Sequence, residues 1–145
     1  MITNDVQYRN TKAWLARFGT DIADMEAAMP HPRSRLQQAK IDAARSQADD
    51  LEAQLAAYEA LRSGAVRTFE ASSLRGLAEA LVKARIARGW TQRRLSDELG
   101  VAEQQVQRYE ATGYVAASLA RLADVADALG VTITETVTLG RHDAA

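Results

Sequence analysis

The sequence contains no cysteine, only two prolines and only two histidines. Without cysteine there is no disulfide, no thiolate metal site and no cysteine nucleophile. His31 stands in a proline turn and His142 in the tail, each without the surrounding acids, bases or ligands that catalysis or metal binding needs. No glycine-rich phosphate loop follows a strand. These gaps argue against an enzyme, and against any metal or cofactor. No apolar run approaches the ~18 residues of a membrane span. The opening MITNDVQYRN is polar and has no apolar stretch of the secretory kind. A cytoplasmic protein with no membrane partner is expected. The net charge of −1 removes any overall cationic character, which leaves a local basic face as the only route to a polyanion.

What remains is alanine-rich sequence with little glycine, which favours helix. The spacing predicts a first helix from about Asn4 to Met29, with Asn4 and Gln7 as a capping box. Tyr8, Thr11, Leu15, Phe18, Ile22, Met25 and Met29 recur at intervals of three and four, a heptad seam with one polar member. Pro30 and Pro32 stop that helix, because each pushes its preceding residue out of the α region. A second helix is expected from Pro32 or Ser34 to Arg62, with Gly64 as its stop and Ile41, Ala44, Ala48, Leu51, Leu55 and Tyr58 as its seam. So short a connection folds the two helices back antiparallel, as a coiled-coil-like hairpin. A lone hairpin buries little. Its seam is therefore expected to meet another copy or a partner, through Leu15, Phe18, Ile22, Met25, Leu51, Leu55 and Tyr58. The alternative is an intramolecular hairpin leaning on the rest of the chain.

Beyond Gly64, residues 65–71 read as a short extended segment, and Ser72 or Ser73 offers a cap for the next helix. Four or five helices with short turns follow as far as Gly130. The stretch VTITETVTL then alternates Ile133, Glu135, Val137 and Leu139 with threonines, which favours a strand paired with residues 65–71 or with a second subunit. The division expected is residues 1–64 as hairpin and 65–145 as a second domain.

The most informative stretch is TQRRLSDELGVAEQQVQRYEATG, residues 91–113, followed by SLARLADVADALGV. Thr91 can cap a short helix ending at Leu99, Gly100 supplies a tight turn, Val101 plugs the angle, and a second short helix carries Val106 inward. Trp90 is expected to cover the end of the helix before. This pattern resembles the Xre/Cro-type helix-turn-helix of phage repressors and bacterial regulators. The resemblance runs from Leu77 to Val131 without a gap and rests on Thr91-Gln92, Gly100-Val101, Val106 and Glu110. The chain departs from it at Ala102, where the family usually has Ser or Thr, and in the Glu-Ala-Thr-Gly ending, one residue longer than the common form.

The resemblance implies a mainly α fold, a lambda-repressor-like five-helix domain after the hairpin, with short flanking β-strands. It also implies sequence-specific binding of double-stranded DNA, with the helix at 103–111 in the major groove. By position the base readers are Glu103, Gln104, Gln105 and Arg108. Glutamine can pair with adenine, arginine with guanine, and glutamate with cytosine. Gln92 matches the family's phosphate-clamping glutamine; Thr91, Arg93, Arg94, Thr112 and Tyr114 are further phosphate candidates. Between Arg75 and Arg94, six cations (Arg75, Lys83, Arg85, Arg88, Arg93 and Arg94) stand against Glu79 alone, a local charge of +5. A homodimeric repressor reading a palindromic operator is the expected function. The alternative is an antitoxin whose amino-terminal helices neutralise a toxin while it represses its own operon.

Overall fold

The computed structural model describes residues 1–140; residues 141–145, including His142, lie outside it. Six helices follow in order: α1 Asp5–Ala28, α2 Arg35–Arg62, α3 Leu74–Ala87, α4 Gln92–Leu99, α5 Glu103–Ala111 and α6 Leu119–Leu129. No helix among the described residues is long and apolar enough to cross a membrane.

The cap of α1 is Asn4, whose side chain accepts from the Gln7 amide. The returning bond of the expected box goes one residue further back, from the Thr3 amide to the Gln7 side chain at 2.8 Å. Ser34 carries the full reciprocal box with Gln37 at the start of α2. Between these caps the two helices lie antiparallel. Glu26 pairs with Arg45 near the tip, and Asp5 with Arg62 at 3.0 Å near the base.

The seam falls where the heptad spacing puts it. Tyr8, Leu15, Phe18, Ile22 and Met25 are half-buried, as are Ala44, Ala48 and Leu51 opposite, while Ile41 is fully buried. The two halves of the hairpin then diverge. Toward the base, Leu55, Tyr58 and Leu61 enter one buried cluster with Ile2, Leu77, Leu81, Leu95, Val106, Val125 and Leu129. Leu55 and Tyr58 are thus consumed inside the chain, which corrects their assignment to an external interface. Toward the tip no third helix arrives, so the seam stays half open.

Four helices, not five, follow the hairpin. Gly130 ends α6 in the left-handed region at φ 60°. The β-branched run after it disfavours another helix. It does not form the expected strand either. No strand occurs among the described residues, and residues 65–71 are equally without a ladder. The two segments never pair, so Val137 and Leu139 stay 93% and 97% exposed, and an isolated strand has no partner for its backbone groups.

Candidate nucleic-acid interface

Thr91 caps α4 by accepting from the Arg94 amide, and Gly100 closes the helix at φ 65°, ψ 33°. That left-handed conformation suits glycine, and it lets the Val101 amide reach the Ser96 carbonyl at 3.0 Å. Val101 is half-buried in the angle, while Leu95 and Val106 are wholly buried on the facing sides of α4 and α5. Ala102 gives α5 no side-chain cap. The first amides of α5 are therefore not claimed by a side chain at that position.

The apolar anchor at Val106 decides which residues of α5 face outward. Gln104 and Arg108, four apart, are both exposed; Glu103 and Gln105 are half-buried. Gln107, also exposed, donates to the Glu103 carboxylate at 3.4 Å. Ahead of α5, Thr91, Arg93 and Arg94 are exposed at the start of α4. Arg94 bridges to Glu98 at 2.9 Å and lies over the Trp90 ring, 4.9 Å from its centroid. Trp90 itself packs against the core cluster at the end of α3, as expected.

Behind this face sits a buried ion pair. Arg85 of α3 donates through Nε and Nη2 to the two Glu110 oxygens at 2.5 and 2.7 Å. The same guanidinium donates to the backbone carbonyls of Trp90 and Thr3, both at 2.6 Å. Gln92 completes the cluster: its amide donates to Glu110 at 2.8 Å and accepts from Asn4 at 3.3 Å. No buried side-chain polar atom among the described residues is left without a partner.

A helix-turn-helix family model matches residues 81–135. That segment is an Xre/Cro-type helix-turn-helix domain. Its family is one of DNA-binding transcriptional regulators. Neither a curated protein nor a solved structure matches the chain.

Within the helix-turn-helix domain three expectations need correction. Gln92 is 6% exposed with both ends of its amide engaged, so its side chain holds the domain together instead of presenting itself to a phosphate. Tyr114 is 4% exposed. Gly113 and then Tyr114 itself, at φ 59°, turn the chain back, and its ring stacks on Tyr109 at 5.5 Å. Burial, followed by the neighbouring Glu110 charge, raises the Tyr114 hydroxyl pKa and keeps it neutral. Thr112 is exposed, but its hydroxyl donates to the Arg108 carbonyl at 2.9 Å.

The third correction is electrostatic. Arg85 is cancelled by Glu110, Lys83 is tied to Glu79 at 2.7 Å, and Arg94 to Glu98. From Leu74 to Ala111, seven cations stand against five carboxylates, which leaves +2 where the shorter window suggested +5. Arg75, Arg88, Arg93 and Arg108 are the cations of this region without a carboxylate partner among the described residues. The role of Arg85 was legible in principle. It lies four residues after Leu81 and between Ala84 and Ile86, in the apolar register of α3, where a cation needs a buried partner.

Proposed function

We propose that the protein is a sequence-specific transcriptional regulator of the cytoplasm, binding double-stranded DNA with α5 in the major groove and no enzymatic role. Gln104 and Arg108 carry the reading, with Glu103 and Gln105 beside them. The observation behind this is that both lie exposed, one helical turn apart, on the short helix that Val106 anchors. A major groove about 12 Å wide admits such a helix, and amide and guanidinium groups suit adenine and guanine edges. Thr91, Arg93 and the uncapped first amides of α5 supply phosphate contacts. Repression follows from a dimer on a palindromic operator, with residues 1–64 as the dimerisation arm and 65–145 as the reading domain.

Selecting bound duplexes from a random library tests this reading. A palindromic winner with two half-sites supports it; no enrichment over the starting pool refutes it. The long hairpin favours one further reading, an antitoxin whose α1 and α2 engage a toxin while the same domain represses the operon. Co-purification of a neighbouring gene product with the full chain separates the two.

A further inference from the structure

The two flanks of the hairpin seam differ in kind. One flank is tied by charge: Glu26 pairs with Arg45, and the Tyr8 hydroxyl donates to Glu59. On the other flank stands Trp14, 60% exposed, with Gln7 and Asp21 seven residues to either side of it and therefore on the same face. At the corresponding seven-residue positions α2 carries Gln47 and Gln54. Within about 60° of Trp14 on α1, at ~100° per residue, the only charges are Arg17 and Asp21. They have opposite sign, lie one turn apart, are both exposed, and form no salt bridge among the described residues.

That pattern is self-complementary in one direction only. A second α1 laid antiparallel, with the two-fold axis between residues 17 and 21, sets Arg17 against Asp21 of the other copy, twice over. A parallel copy sets Arg17 against Arg17 and Asp21 against Asp21, and like charges in a contact are unfavourable. The half-open seam beneath, Phe18, Ile22, Met25 and Leu51, supplies the apolar surface to be covered. Size comes close. The part of α1 that overlaps its copy about that axis, residues 10–28, spans about 28 Å, and two helices side by side give a face about 20 Å wide. Its area, on the order of 550 Å², falls just below the range about the ~800 Å² per partner of a standard stable interface.

We infer that the Trp14 face of the hairpin binds a second copy of this chain, antiparallel, as a symmetric four-helix bundle. This deepens the proposed regulator by naming how its dimer forms, and it rests on that reading only for its purpose. The helix-turn-helix domains then sit at opposite ends of the bundle. Asp50, at the rim of α2 near the same level, approaches its own copy and is the one opposed like charge, left in solvent where such pairs matter little.

Charge reversal tests it on the full chain, with mass measured by light scattering across a dilution series. The wild-type chain is expected to be a dimer. Arg17→Asp and Asp21→Arg, each creating two like-charged contacts, are expected to raise the dimer dissociation constant at least about tenfold. The double reversal, Arg17→Asp with Asp21→Arg, restores the dimer. Both residues are exposed, so folding is not at stake, and a circular dichroism melt verifies this. A monomeric wild-type chain, whose open face then belongs to some other protein, overturns the inference. So does a double reversal that fails to rescue. Binding to a duplex with one half-site is expected to be equal for all four chains. If the mass pattern holds but no duplex is bound, the dimer stands and the DNA reading falls.

Discussion

Arg85 and Glu110, twenty-five residues apart in sequence, form a two-pronged ion pair at 2.5 and 2.7 Å with both side chains almost wholly shielded from water. The pair ties α3 to the carboxyl end of α5, and through Gln92 it reaches the start of α4. Helix α5 is thereby held at two points: by an apolar anchor at Val106 in its middle and by a charge at Glu110 near its end. Because Arg85 also donates to the Thr3 carbonyl and Gln92 accepts from Asn4, the entry to α1 is fixed to the same cluster.

Removing one partner of such a pair leaves the other charge buried alone. Glu110→Ala is expected to lower the unfolding free energy by about 3–5 kcal/mol. The double substitution Arg85→Met with Glu110→Leu is expected to recover part of it, since no charge is then left buried alone, while the Trp90 and Thr3 carbonyls and the Gln92 amide still lose their partner. Urea unfolding followed by circular dichroism checks both; a double variant no better than the single one contradicts the pairing.

Gln92 provides a cleaner separation of two roles. A side chain that only clamped a phosphate would leave the free protein's stability unchanged on removal. Held instead between Glu110 and Asn4, Gln92→Ala is expected to cost about 1–3 kcal/mol, because it strands buried polar groups. A thermal melt without DNA reads the difference.

Tyr58 makes stability depend on alkaline pH. Burial, then its hydrogen bond to Asp5 at 3.1 Å and the Asp5 charge, push the hydroxyl up from 10.0 to about 12. Between those values the folded chain keeps a proton that the unfolded chain has released, so stability falls with rising pH. The contribution is whole below pH 10 and is lost by about pH 12. Tyr58→Phe is expected to flatten the decline in melting temperature between pH 10.0 and about 12, the window set by this linkage. An unchanged slope contradicts the assignment.

The hairpin and the helix-turn-helix were legible because their signals are local and repeated. Three-four spacing marks Tyr8 to Met29 and Ile41 to Tyr58, and Thr91, Gly100, Val101 and Val106 form one short frame. The inward turn of Gln92 was not legible, because it depends on Arg85 and Glu110, which meet only after three helices have packed. Counted by charge alone, Arg85 joins a basic strip; its apolar register beside Ala84 and Ile86 marks it for burial but does not name Glu110 as its partner. The strand over residues 131–139 failed for a similar reason: alternation states what a segment suits, while pairing requires a neighbour that residues 65–71 do not provide. Leu55 and Tyr58 share the seam spacing of Leu51 but sit where α3 arrives, which spacing alone does not show.

The exposed face of α5 is where the functional reading is most open to refutation. The decisive experiment compares wild-type and Arg108→Ala binding to the selected duplex and to a scrambled one, at a single fixed salt concentration. The expected result is a loss of about 1–3 kcal/mol of preference between the two duplexes, with the melting temperature unchanged. Preference retained in full by Arg108→Ala would contradict the placement of this helix against the bases.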